Sequence, residues 1–317
     1  EFRVWEGGGE YNVARGLSSC FGKRTAVVTA LVANEIGRLI GNRIAAGGVD
    51  TRLIRWREDD GIGETCRNGL NFVEKGFGLR SALGVSDRGH TAISQVRPGE
   101  IDWQQLFDAN RTSWFHSGGI MAGLSGHSPD VVIEAVQAAK AAGATVSYDL
   151  NFRPSLWRRF GGRKRANEVN RMILPHVDVL FGVDTLDAAP AGLDTDLYIR
   201  AVEQTAAAFP NLKAIATTMR RVISANANDW SGLLCIDGAF FEGPRFEHLE
   251  IYDRIGSGDG FAAGIIYGLL EKLDGQRIVD YGVLHGALAM TTPGDNSMSS
   301  LADLDRYLTG AGSGVIR

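Results

Sequence analysis

Three cysteines, Cys20, Cys66 and Cys235, are too few and too scattered for a disulfide framework, and no CxxC pair gives the spacing of a zinc site. Such sparse usage predicts a reducing compartment, the cytosol. No apolar run approaches the ~20 residues that a membrane-spanning helix needs, and no stretch has the pattern of a signal peptide. Positive charge is not in excess either. Lys+Arg 33 against Asp+Glu 37 leaves a net charge of −4, and no basic block could track a nucleic-acid backbone. A phosphate-binding Walker A loop is missing: in Gly16 to Lys23, GLSSCFGK, five residues separate the glycines instead of four, and Arg24 stands where Ser or Thr belongs. The chain also lacks an initiator Met and opens almost directly on a glycine run, so further residues are expected before Glu1.

With 317 residues the chain can bury a large core, enough for one big α/β domain with an appendage or for two domains. EGGGEYNVARGL, Glu6 to Leu17, is a glycine turn feeding a helix. Arg24 to Val32 reads as a buried strand and Asn34 to Ala46 as a helix. From Thr51 to Val96 the period changes to short β-type runs separated by Gly, Asp and Arg. This is a small β-appendage or, alternatively, a hairpin edge of the main sheet. Strand–helix alternation then resumes, with a helix from Pro129 to Ala142 capped by Ser128, which predicts a parallel sheet. In such sheets ligands bind beyond the C-terminal strand ends. The polar segments Asn151 to Arg153, Thr217 to Arg221 and Asp253 to Asp259 are read as loops after strands and should share one rim. His116 and His285 lie in apolar surroundings and read as core histidines.

The most informative stretch is DRIGSGDGFAAGIIYGLL, Asp253 to Leu270. A glycine turn, Gly256-Ser257-Gly258, precedes a carboxylate at Asp259 and an apolar helix that starts at or just before it. Free amides and the positive dipole end at such a helix start suit an anion, and glycines let the backbone approach it closely. A carboxylate beside a phosphate cradle can take the proton of an attacking hydroxyl. The alternative is a plain turn with Asp259 as a helix cap. A dinucleotide site is disfavoured, because GSGDGF lacks the third glycine and places an acid beside the pyrophosphate.

DRIGSGDGFAAGIIYGLL resembles the C-terminal signature of the ribokinase-like (PfkB-type) carbohydrate kinases, and EGGGEYNVARGL resembles their N-terminal sugar-binding motif. YDLNFRPSLW, ATTMRRVISANANDW and GALAMTTPGD resemble segments of the members that act on 2-keto-3-deoxygluconate, in the same order. The resemblance implies an α/β fold, a three-layer αβα sandwich with a mainly parallel central sheet. Its core would be 1–50 and 97–317, with a small β-sheet lid at 51–96, and the usual first strand is absent ahead of the glycine motif. It implies ATP-dependent phosphorylation of the terminal hydroxyl of a sugar acid, with Mg2+, and a homodimer or higher homo-oligomer formed through the lid. Asp259 would be the base, with the amides of Gly256, Ser257 and Gly258 as the anion hole. Gly8, Gly9, Asn12, Arg88, Arg153 and Asp295 would bind the sugar, and Asn71 and Ser86 stand where lid tyrosines are usual. Asn151, Arg153, Thr217, Thr218, Arg220, Arg221, Val222, Gly256 and Gly258 would line the nucleotide. Asp184 and Asp187 would organise Mg2+, although their acid–x–x–acid spacing is shifted by one residue from the family pattern. A neutral-sugar kinase of the same fold, or a non-catalytic sugar- or nucleotide-binding regulator, stays open on these residues.

Overall fold

The computed structural model describes residues 2–183 and 193–310. Its centre is a seven-stranded sheet. Trp114–Gly118, Thr145–Asp149, Val179–Phe181 and Ala214–Ser224 run parallel to one another. Ala227–Ile236 turns back antiparallel and carries both Ala239–Glu242 and Phe246–Glu250. The strands are apolar on both faces because both are covered. Val179, Phe181, Ala214, Ala216 and Leu234 pack into one core with Phe261, Ile265 and Val283. The intervening Leu180, Ile215, Leu233 and Cys235 pack into the other, with Val136, Val169 and Val202. Period-two burial thus produces the three-layer αβα sandwich.

The helix Ser257–Leu270 lies against Gly275–Ala289 through small residues. A Cβ on Gly264 would sit 2.5 Å from the Tyr281 carbonyl oxygen and 2.7 Å from the Gly282 Cα. Both helices sit beneath Gly9–Ser19, and together these helices cover one face of the sheet.

Several local expectations are corrected. Thr217 to Arg221 is not a loop. It continues the strand Ala214–Ser224, whose outer half pairs with the strand Ala227–Ile236. Ser128 is the first residue of the helix Ser128–Ala141 and does not cap it; its own amide and that of His127 donate to Ser125 Oγ. The helix expected to start at or just before Asp259 does so, at Ser257. A helix at Trp103–Asn110, capped by Asp102, has no counterpart in the sequence reading. His285 is in the core and His116 is half-buried beside the cavity described below; burial pushes both down to about 4, so they are neutral.

Within 51–96 two different things occur. Ile54–Arg57 pairs in parallel with Thr29–Val32 and extends the α/β part. Leu70–Glu74 and Leu83–Asp87 form a separate antiparallel hairpin with nearly every side chain exposed. Its tip reaches across to the turn between two strands of the main sheet, where the Gly78 amide donates to Asn226 Oδ1 at 3.1 Å and the Ala225 amide donates to the Gly78 carbonyl at 3.0 Å. Among the described residues no strand precedes Gly9, and none joins Thr29–Val32 to Trp114–Gly118. A cavity of about 970 Å3 lies there, lined by Val28, Thr29, Trp103, Phe107, Trp114 and Phe115 among others.

Candidate active site

Gly256 is the N-cap of the helix Ser257–Leu270 and has a φ of 79°, in the left-handed region that glycine tolerates. A Cβ there would also overlap the Asp295 carbonyl oxygen. The Gly260 amide makes the first intrahelical bond, to the Gly256 carbonyl at 2.8 Å. The amides of Ser257, Gly258 and Asp259 therefore have no partner within the helix. Gly258 is exposed, with nothing near its Cα, so this end of the helix opens on solvent. Asp259 is in the first turn but does not cap it. Its Oδ2 accepts a hydrogen bond from Asn12 Nδ2 at 2.7 Å, across 247 residues of sequence.

Asn12 reaches Asp259 because of the turn before its helix. Gly8 is the N-cap of Gly9–Ser19, with a φ of 140°, and its carbonyl accepts from the Asn12 amide at 2.7 Å. A Cβ on Gly9 would lie 3.5 Å from Asp259 Oδ1 and 3.6 Å from Asn151 Nδ2. The N-terminal glycine turn, the end of the strand Thr145–Asp149 and the start of the helix Ser257–Leu270 thus meet at one point. Asp295 closes another side, since a Cβ on Gly7 would overlap its Oδ2.

Two carboxyl groups that the sequence reading did not single out belong to this place. Asp149 ends its strand and accepts from the Asn151 amide at 3.0 Å, which helps to hold Asn151 at its positive φ of 35°. Glu10 lies near it across Gly118, with Oε1 buried and unpartnered among the described residues. Burial raises all four acids, because removal from water penalises the charged form. Asp259 is pushed up to about 7 by burial, against the Asn12 hydrogen bond and with Asp149 and Asp295 adding repulsion. Glu10 is pushed up to about 7 by burial, with Asp259 raising it further and Arg88 opposing. Asp149 is pushed up to about 6 by burial, with Arg153 opposing. Asp295 is pushed up to about 6 by burial and then by Asp253, with Asn12 opposing.

Cations stand on the other side. Arg88, from the base of the hairpin, is half-buried and close enough to Arg153 and Glu10 to feel both charges; burial is the main influence disfavouring its own charge. Arg153 follows Asn151, and among the described residues its guanidinium donates only to its neighbour's carbonyl, at 3.2 Å. Arg220 lies on the outer half of its strand, opposed by burial and by Arg254 and Arg153. Arg221, on the opposite face of the strand, is held by buried Asp229, with Nε donating to Oδ2 at 2.6 Å. Thr217 is buried, Thr218 partly so, and Val222 is exposed. Asn71 and Ser86 face each other across the hairpin, Ser86 Oγ donating to Asn71 Oδ1 at 2.9 Å. Asp184 and Asp187 lie outside the described residues.

The arrangement can hold a hydroxyl against Asp259 with an anion on the amides beside it. Were Asp259 to take the proton of that hydroxyl, turnover should fall as pH drops below about 7, because protonated Asp259 cannot accept it. Asn12→Ala removes a bond that favours the ionised form, so its acidic limb should move to higher pH. A pH–rate profile checks both, and an Asn12→Ala limb that stays put or moves to lower pH would sever this pairing from proton uptake.

A family model described as pfkB family carbohydrate kinase matches residues 1–302. The 2-dehydro-3-deoxygalactonokinase of Haloferax volcanii is 28% identical over 317 residues, 100% of this chain and 91% of its own length. The 2-dehydro-3-deoxygluconokinase of Bacillus subtilis is 27% identical over 298 residues, 91% of this chain and 81% of its own. Among solved structures, the 2-dehydro-3-deoxygluconokinase of Thermotoga maritima superposes with a TM-score of 0.87 at 31% identity, over 96% of this chain and 89% of that one.

Proposed function

The chain belongs to the pfkB family of carbohydrate kinases, and from that premise we propose that it moves the γ-phosphoryl group of ATP to the terminal hydroxyl of a sugar acid, 2-keto-3-deoxygluconate or a close analogue. The observation that carries this is the Asn12–Asp259 pair, at 2.7 Å, beside the unpaired amides that open the helix Ser257–Leu270. Asp259 takes the proton of the sugar hydroxyl as that oxygen attacks phosphorus. The amides of Ser257 and Gly258 donate to the phosphoryl oxygens as charge builds on them. Gly8, Gly9 and Asp295 hold the sugar, and Asn151, Arg153 and Arg220 face the nucleotide. Arg88 grips the substrate carboxylate, for which its planar fork is suited. The hairpin closes over the sugar and keeps water from competing as acceptor.

Mg2+ bound with the nucleotide would neutralise phosphate charge. Asp184 and Asp187 are its assigned partners, and no group of three His, Cys, Asp or Glu among the described residues could hold a metal unaided. The buried, unpartnered Glu10 Oε1 near Asp149 suits a cation that arrives with its phosphates and takes only one or two protein carboxylates.

A second reading, a neutral sugar, is favoured by the four carboxyl groups of Glu10, Asp149, Asp259 and Asp295, which would repel an acid approaching their side. One experiment separates the two: ADP release with ATP and a panel of sugar acids and neutral sugars, run on the wild type and on Arg88→Ala. The sugar-acid reading expects turnover on the acid and a KM raised about tenfold or more by the variant, the loss of a charge-assisted pair being worth ~1.5–3 kcal/mol. Equal effects on acidic and neutral sugars would remove Arg88 from carboxylate recognition. The reading also expects the enzyme in the cytosol as a homodimer or higher homo-oligomer joined through its hairpins, whose Leu70, Phe72, Leu83 and Val85 form one exposed apolar face; a monomer in sedimentation velocity would remove that part.

A further inference from the structure

Arg254 has no role in the account so far. It stands two residues before Gly256, in the segment that leads into the helix Ser257–Leu270, and its carbonyl accepts from Ser257 Oγ at 3.3 Å. The residue is half-buried, and two of its guanidinium nitrogens, Nε and Nη2, are buried with no hydrogen-bond partner among the described residues. Among the described residues it forms no ion pair. Neither does Arg220, on the neighbouring strand. Arg254 and Arg153 both press on the Arg220 charge, and Arg220 is itself exposed, so the buried unpaired charge is that of Arg254. A buried guanidinium without a counter-charge is costly. The other arginines with a buried, unpartnered Nε among the described residues are all in ion pairs, Arg15 and Arg43 with Glu6 and Arg57 with Glu100. Like charges crowded around a helix N-terminus that itself favours anions leave a site whose missing component is negative.

We propose that Arg254, with Arg220 opposite it, grips the terminal phosphates of the nucleotide, one anion relieving the repulsion between the two guanidinium groups. A polyphosphate suits the pair because each planar fork can take two oxygens of a phosphate, and the amides of Ser257 and Gly258 lie just beyond on the same segment. Arg254 thereby positions the donor for transfer to the hydroxyl on Asp259. This rests on the kinase reading for the identity of the anion, but its test needs neither sugar nor turnover.

The probe is inorganic tripolyphosphate, followed by calorimetry and thermal unfolding, on the wild type, Arg254→Met and Arg254→Lys. Met keeps the apolar stem and removes the charge. The expected result is a tripolyphosphate dissociation constant raised at least tenfold in Arg254→Met and partly restored in Arg254→Lys, with AMP binding unchanged. In the absence of any anion, Arg254→Met should melt no lower than the wild type, because the charge it removes is uncompensated there. Undiminished tripolyphosphate affinity overturns the assignment. So does a variant that cannot be obtained folded or that melts below the wild type without anion, since Arg254 would then be a structural residue. Failure of these outcomes with sugar phosphorylation intact would dismiss Arg254 and leave the kinase reading standing; success with no sugar phosphorylated would do the reverse.

Discussion

Asp259→Asn is expected to lower kcat by about 10²–10⁴-fold, the range typical of a positioned general base, while sugar affinity stays close to that of the wild type. The substitution is nearly isosteric, and the new amide can still accept from Asn12 through its oxygen. What disappears is the capacity to take a proton. Burial and the neighbouring acids Asp149 and Asp295 hold the native carboxyl near 7, close to working pH, where a base combines availability with driving force. The loss should therefore appear in kcat and kcat/KM alike, with the acidic limb of the pH profile gone. Steady-state kinetics with a calorimetric measure of sugar binding would decide it. Full turnover by the variant would remove Asp259 from the reaction and, with it, the mechanism proposed above.

Gly256→Ala should be almost as damaging, for a different reason. At a φ of 79° an L-residue pays about 1–2 kcal/mol for the left-handed conformation alone. The added methyl would also collide with the Asp295 carbonyl oxygen, which is backbone and cannot swing aside. Relief requires the Asp253–Gly258 segment or the Thr292–Asn296 turn to move. The first shift misaims the Ser257 and Gly258 amides, and losing one such donor typically costs about 10²–10³-fold in kcat. The second displaces Asp295 from the sugar. A fall in kcat with a rise in sugar KM, and a lower melting temperature, is the expected pattern. A variant with native kinetics would show that the turn yields without consequence and that the amides are not what binds the phosphoryl group.

Local features were legible in the sequence, and features made by distant parts of the chain were not. The glycine turn before Asp259 and the Gly8–Gly9 turn before Asn12 could be read because backbone chirality and helix-end chemistry depend on a few adjacent residues. The bond between Asn12 and Asp259 could not, since nothing local links positions 247 apart. Glu10 and Asp149 were overlooked because an acid in a motif looks the same whether solvated or buried. The available signals were that Asp149 ends a strand on the rim already chosen for Asn151, and that Glu10 sits inside the glycine motif itself. Thr217 to Arg221 was mistaken for a loop because two consecutive arginines interrupt the apolar run. The strand continues past them, exposed on both faces, because its outer half needs only the partner Ala227–Ile236, with which it pairs as far as Ser224. Trp103–Asn110 went unread because eight residues with Gln, Gln, Asp and Asn give too weak a helical period, although Trp103 and Phe107 are both buried.

The tight seat of Ser257–Leu270 on Gly275–Ala289 has a bearing on how such an enzyme can change. Gly264 leaves its backbone in contact with Tyr281 and Gly282, so the segment bearing the reactive carboxyl has no slack in which to shift. A part able to travel during a reaction cycle is to be sought on the hairpin side, whose tip is fastened, among the described residues, by a pair of hydrogen bonds around Gly78 to Ala225 and Asn226 and by Lys75 over the Tyr252 ring. Asp259 and the hairpin thereby belong to separable pieces of the molecule. Exchanging the 70–88 ribbon, Arg88 included, for one of different sequence should retune which sugar is accepted and leave the Asn12–Asp259 pair in place.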